Sequence, residues 1–337
     1  MNNQDHNESV NQDELEIDFA FQDKDVKSMI KKAKRTTIIR NTIISVVVTP
    51  ILLFAGIVLN STLVNHQHYK AFGDLEYHER ISGPNVFLGS SSFDYGFLGG
   101  TFSSEKFKVI EDRVIPWGNE TVEFNIFGKA NPTASDRGSA QINEKIGPPQ
   151  VDRFFHYESG ERVMLFYHPY LNYDHYLVDF DLLNQVSEDK YIEMALSLDQ
   201  GYTIDEINTM IPDSVDVTWY RVNSYSQSQL DLFKDGENRP DLAQTVYGFD
   251  AYFDSTFKES KRTEEDFVED VKRLKDSKYN NFFTFYVKDV LYDAIQENKE
   301  DGLIIGIVVT GTKDELQVLN GLPFIKGAVL GATVDKY

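Results

Sequence analysis

The densest set of side chains able to do chemistry lies between residues 168 and 181: His168-Pro169-Tyr170, Tyr173-Asp174-His175-Tyr176 and Asp179-Phe180-Asp181. A histidine beside two aspartates can bind a metal or move a proton. The same stretch also reads as a surface turn in which the rings pack and the acids cap the next helix. The rest of the chain gives the chemical reading little support. G-x-S-x-G, H-E-x-x-H, P-loop and Rossmann glycine patterns are absent. His66 and His68 stand two apart, a weak chelate without a carboxylate nearby, and Gly83 and Gly89 do not make a phosphate loop. The 337 residues include no cysteine, which excludes disulfides and thiolate metal sites. The sequence therefore points away from an enzyme and calls for no metal or cofactor.

The element that organises the chain is an apolar run without a charged residue, Thr42 to Leu59. As a helix its 18 residues reach about 27 Å, close to the ~30 Å hydrocarbon core of a bilayer. We read 41–60 as a transmembrane helix; Pro50 in its middle is better tolerated in a membrane than in water. A cleavable signal peptide has a shorter apolar core followed by a small-x-small site, and Ser61-Thr62-Leu63-Val64-Asn65 carries none. A buried core helix would not carry this basic flank. Lys31, Lys32, Lys34, Arg35 and Arg40 precede the run, whereas Asn65, His66, Gln67 and His68 follow it. The positive-inside rule then predicts a single-pass protein of the cell membrane, with residues 1–40 cytoplasmic and the C-terminal part extracellular.

Charge divides unevenly. Residues 1–40 carry eight acids and seven bases, and the part beyond the run carries 46 acids and 26 bases, out of a net −21. So acidic a body does not bind nucleic acid through its surface field.

In the inner segment, residues 1–14 are polar and aperiodic, the composition of a disordered arm. Leu15, Ile17, Phe19 and Phe21 then alternate with polar or small residues at a strand-like period of two, and Val26, Met29, Ile30 and Ala33 follow at helical spacing. The segment is too short to bury these side chains by itself. Phe19, Phe21, Val26, Met29 and Ile30 are thus the candidate partner-binding residues. Their partner is either the membrane surface, against which a basic amphipathic turn lies, or a cytoplasmic protein that captures them in a groove.

The outer part predicts an α+β fold: a mostly-β region over 61–155, with Gly89–Ser92 as a turn and Asn131–Gln150 as a linker, then an α/β sandwich domain over 156–337. Two units of that domain share the order strand, T-x-D-E-[IL], helix, proline, strand, at 192–222 and 303–334. Thr203/Glu206 and Thr312/Glu315 have capping-box spacing. These are two βαβ-like units able to pair side by side in one sheet, with both helices on one face. A helix starting at Thr263 and a helical apolar stripe of Phe282, Phe285, Tyr286, Val290 and Ala294 lie between them.

Several stretches together resemble the sigma factor regulator family. Met164–Pro169, Glu193–Asp199, Val217–Tyr220, Val308–Thr312, Gly321–Lys326 and Val334–Tyr337 resemble its C-terminal domain; Lys31–Arg35 and Ile81–Val86 resemble its N-terminal domain. The resemblance implies a membrane-anchored anti-sigma factor of Gram-positive bacteria. Residues 1–40 would hold an extracytoplasmic-function sigma factor at the membrane, and the outer part would sense the state of the cell envelope or contact a second membrane protein. It supplies no catalytic residues. The alternative is a cell-surface module that binds a ligand or partner and is anchored by an uncleaved N-terminal helix.

Overall fold

The computed structural model describes residues 12–135, 139–144, 151–234, 236–254 and 258–337, and the chain divides into two units, residues 1–62 and 63–337. Helix α1 (Gln12–Arg80) contributes to both.

The first unit is helical throughout its described length. The apolar run is fully inside the helix, Pro50 included. It is the one helix among the described residues long and apolar enough to cross a membrane, and its most apolar window has a mean hydropathy of 2.6 with no part buried against protein. The extended conformation expected for Leu15–Phe21 is not found; these residues are helical. A two-residue alternation this short also places Leu15 four before Phe19 and Ile17 four before Phe21, the spacing of helical neighbours. No glycine or proline interrupts the chain from Gln12 to Thr49, so nothing stops the helix. The polar arm before Gln12 lies outside the described residues.

The second unit opens on the helical residues 63–80, the start of the region expected to be mostly β. Their buried positions, Val64, His68, Ala71 and Leu75, repeat at helical spacing. Strands β1 (Val86–Tyr95), β2 (Gly99–Ile110), β3 (Arg113–Asn125) and β4 (Ala130–Ser135) then form an antiparallel meander in chain order. Phe102, Val122 and Phe124 pack on Val64, Ala71 and Leu75. Gly89–Ser92 is not a turn: it continues β1 through an irregularity between Leu88 and Ser91. The expected linker likewise contains strand, with β4 followed by β5 (Ser139–Glu144), while 136–138 and 145–150 lie outside the described residues. β5 pairs with β6 (Val151–His156), and β6 with β7 (Arg162–Val163).

After β8 (Leu165–Phe166) and a short α2 (Phe180–Leu183) comes the first repeat unit: β9 (Lys190–Tyr202), α3 (Ile204–Met210) and β10 (Asp216–Val222). The intervening segment holds α4 (Gln227–Phe233), β11 (Asp241–Leu242), β12 (Gly248–Asp250), the β13 (Tyr252–Asp254) and β14 (Glu259–Lys261) hairpin, α5 (Glu264–Lys275), α6 (Phe282–Tyr286), a π-helical turn over Val287–Leu291 and α7 (Tyr292–Asn298). The second repeat unit is β15 (Ile304–Gly311), α8 (Lys313–Gln317) and β16 (Ile325–Asp335).

These strands make a five-stranded antiparallel sheet in the order β12-β10-β15-β9-β16. The two units are interleaved rather than side by side: β15 separates β9 from β10, and β9 separates β15 from β16. This is a split β-α-β arrangement. Both capping boxes form, and Ile207 of α3 and Leu316 of α8 enter one core with Met194, Leu196, Ile307 and Val309. The opposite face buries Ala195, Trp219 and Val308 against Met164 and Phe166. α5 is capped by Thr263 with Asp266. The stripe beyond it is met in part: Ala294 is buried and Tyr286 packs on the core, but Phe282 and Phe285 are exposed, and the buried row is Phe283, Val287, Leu291 and Ile295. Their strict spacing of four follows from the π turn, which widens the helix and shifts the inward face by one residue.

Candidate functional site

Among the candidate partner-binding residues, Val26, Met29 and Ile30 are exposed on the helix, with Met29 at 69% the most open. With Ala33 they share one face, while Lys31 and Arg35 occupy the opposite one and Lys32 and Lys34 stand at its two edges. Arg40 too is exposed. The side chains of Phe19 and Phe21 lie outside those described. Helical backbone nonetheless sets positions 19 and 21 about 200° apart, so they do not share a face as a strand would have them. Position 19 comes into register with 26 and 30. The arrangement can place an apolar stripe against a groove and a basic stripe against acidic groups.

The cluster at 168–181 is dispersed into separate environments. His168 is fully buried: its Nε2 lies 3.0 Å from Asn223 Oδ1, and its Nδ1 accepts from the Tyr170 amide at 3.3 Å. Burial, with the nearby Arg221 guanidinium, pulls its pKa down to about 3, so it stays neutral. Asp179 is buried in a two-pronged ion pair with Arg153 at 2.5 and 2.6 Å, and it also accepts from the Leu330 amide. His175, Asp174 and Asp181 are exposed. A base, an orienting acid and a substrate group are therefore not brought together here. His66 and His68 do not share a ligand either. His66 is exposed, whereas His68 is enclosed by Phe93, Phe102 and Phe124 with Nδ1 3.1 Å from Tyr95 Oη; burial lowers its pKa.

What sequence reasoning missed is a set of buried ion pairs in the second unit. Glu193 on β9, fully buried, accepts from Lys108 Nζ at 2.7 and 2.8 Å and from Asn85 Nδ2 at 2.9 Å. The Lys108 ammonium also sits 4.4 Å from the Trp117 ring centre. This pair ties the four-stranded sheet to the five-stranded one. Lys106 of β2 bridges Glu79 and Glu120, and Arg221 pairs with Asp241. Lysines inside β2 at alternate positions, 106 and 108, were the available signal; without their partners they read as a solvated strand face.

A cavity of about 250 Å³ is lined by Glu76, Glu79, Arg80, residues 86–88, Asp250, Tyr252, Phe253 and Arg262. Asp250 Oδ1 has no hydrogen-bond partner among the described residues. Burial pushes this carboxyl up to about 7 against the pull of Arg262. Such a group takes up a proton near neutrality, or accepts from a bound donor.

Taken together, an unburied apolar helix and an α+β unit whose interior polar groups are mostly engaged with each other define the class: an α+β protein with one helix that fits a single membrane span. The sigma factor regulator N-terminal model matches residues 27–115, from the basic segment through α1 to the start of β3, and the sigma factor regulator C-terminal model matches residues 183–332, which hold the whole five-stranded sheet except the end of β16. The chain belongs to the sigma factor regulator family. Its two domains support an anti-sigma factor role, in a family that is regulatory rather than enzymatic. Neither a curated protein nor a solved structure matches the chain.

Proposed function

We propose that the chain is a single-pass anti-sigma factor whose cytoplasmic residues 1–40 sequester an extracytoplasmic-function sigma factor, with residues 61–337 outside the cell as a sensing region. The observation that carries this reading is the exposed Val26–Met29–Ile30–Ala33 stripe on a helix that leads directly into the apolar run, inside a stretch matched by the family's N-terminal model. An isolated helix gains nothing from such a stripe in water; it needs a groove to cover it. Tethering also confines the segment to the membrane surface, so a modest intrinsic affinity suffices to hold the target. Inhibition then follows from covering the sigma factor's polymerase-binding surfaces. The positive flank favours the inward orientation of this segment.

The test is removal of residues 1–30, which takes Phe19, Phe21, Val26, Met29 and Ile30 and leaves the basic flank from Lys31, from the chain in its native cell. A regulator loses control of its target genes, and transcripts of the sigma factor's regulon rise. An unchanged regulon, with the outer region still conferring its phenotype, would instead support the anchored surface-binding module. The 250 Å³ cavity with its unpaired Asp250 oxygen favours that second reading as the place for a small ligand.

A further inference from the structure

We propose that the second unit carries its own lipid-contacting surface, formed by two aromatic hairpin tips and the lysines around Tyr279, which rests in the headgroup layer of the bilayer. The proposal rests on the membrane-anchored reading above and adds a second attachment to it.

The β1–β2 turn and the β3–β4 turn lie at the same end of the four-stranded sheet. Gly100 pairs with Tyr95, Gly99 with Asn125 and Ala130 with Phe124, and the Ile126 amide donates to Leu98 O at 3.0 Å. At their tips Phe97 is 84% exposed and Phe127 is 74% exposed. Water has no use for two phenylalanines at hairpin tips; an interface does.

The chain enters the unit at that end. Gln67 Nε2 donates to Ile126 O at 3.1 Å and to Tyr279 Oη at 2.7 Å. At the other end of the sheet, Lys106 reaches Glu79 and the Val86 amide donates to Gly83 O. β1 thus runs back along residues 63–80, and its turn points toward the chain's entry. From Leu59, the last residue of the apolar run, to Asn65 is six residues, at most about 20 Å fully extended and about 9 Å as helix. The headgroup layer occupies roughly 5–7 Å on each side of the hydrocarbon. Covalent connection alone therefore keeps this end within reach of lipid headgroups.

Charge agrees. Around the tips of an otherwise acidic unit, Lys70 and Lys278 sit 5.2 and 5.7 Å from the Tyr279 ring centre, and Lys129 is exposed beside Phe127. Asp94 and Asp276 are near in sequence, and the Asp74 carboxylate is engaged by the loop that carries Tyr279, accepting from Ser277 Oγ at 3.2 Å and Asn281 Nδ2 at 2.7 Å. The Tyr279 ring lies against Gly128 and leaves no room there for a Cβ, so the 276–281 loop packs onto the tip. Aromatic rings with lysines are the side chains that settle at a membrane–water boundary.

The absence of cysteine makes the test clean. Single Phe97→Cys, Phe127→Cys, Leu232→Cys and Gly56→Cys variants of the full chain are labelled with a polarity-sensitive fluorophore and reconstituted in vesicles of phosphatidylethanolamine and phosphatidylglycerol containing a headgroup-region nitroxide lipid. Position 56 lies in the apolar run, and position 232, 79% exposed on α4, is the control. Nitroxide quenching at 97 and 127 at least threefold that at 232, with protection from an aqueous quencher, is expected. Quenching at 56 with 97 and 127 matching 232 overturns the surface but leaves the anchor standing. A label at 56 that nitroxide does not reach overturns both.

Discussion

The two large sheets of the second unit solve burial differently. Every residue of β15 is buried, and so are seven successive residues of β9, because helices cover one face and the β8 region covers the other. β3 in the four-stranded sheet alternates instead, with Trp117, Glu120, Val122 and Phe124 inward and Val114, Asn119 and Glu123 outward. Its open face carries the Ser103–Thr121 hydroxyl pair at 2.7 Å, whereas Ser91–Ser104, at 2.8 Å, lies on the covered face, where Ser104 is buried. One sheet is a covered core; the other lends one face to the helix beside it and leaves the other available.

The sharpest way to break that comparison is to cut the bridge between the sheets. Lys108→Met leaves the Glu193 carboxylate buried and unpaired, which costs about 3–5 kcal/mol; chemical denaturation of the full chain in detergent measures it, and adding Glu193→Gln restores most of the loss. Next comes acid. His168 behind the covered sheet is neutral when folded but titrates near 6.5 when unfolded. Its folded pKa is depressed, so its contribution is present above about pH 6.5 and is lost as pH falls toward 3. At about 1.4 kcal/mol per pKa unit, this removes on the order of 2–3 kcal/mol by pH 4.5. His168→Gln flattens that limb of a stability–pH curve. Asp250 behaves oppositely: its folded pKa is raised to about 7, so ionisation erodes stability as pH rises from about 4 to about 7. Asp250→Asn therefore gains stability at pH 8 and little at pH 4. The smallest effect belongs to the open face, where Ser103→Ala shifts unfolding by about 0.5 kcal/mol or less, as surface changes do.

The same contrast explains what could be read in advance. The covered sheet announces itself as unbroken apolar runs, Leu303–Thr310 above all, punctuated by capping boxes whose two reciprocal bonds leave little choice of register. The interleaving of its strands is a tertiary choice that no local pattern contains. The open sheet hides in serines and glycines: Gly89-Ser90-Ser91-Ser92 has turn composition and extends only because Ser91 and Ser92 find partners on β2. The same holds for the cluster around His168. Its residue types were visible, but whether Asp179 faces His168 or Arg153 depends on where β6 lands. The inner segment was half legible. Its helical stripe at Val26–Ala33 stands, and its apparent strand was the short-range ambiguity of seven residues.

The most direct test of the account is whether a sigma factor stays at the membrane with this protein. Membranes carrying the full chain, solubilised after chemical crosslinking, are predicted to bring down a sigma factor, and Met29→Asp is predicted to lose at least nine-tenths of it while the chain itself remains in the membrane. Equal recovery with Met29→Asp, or no sigma factor with the unaltered chain, would contradict it.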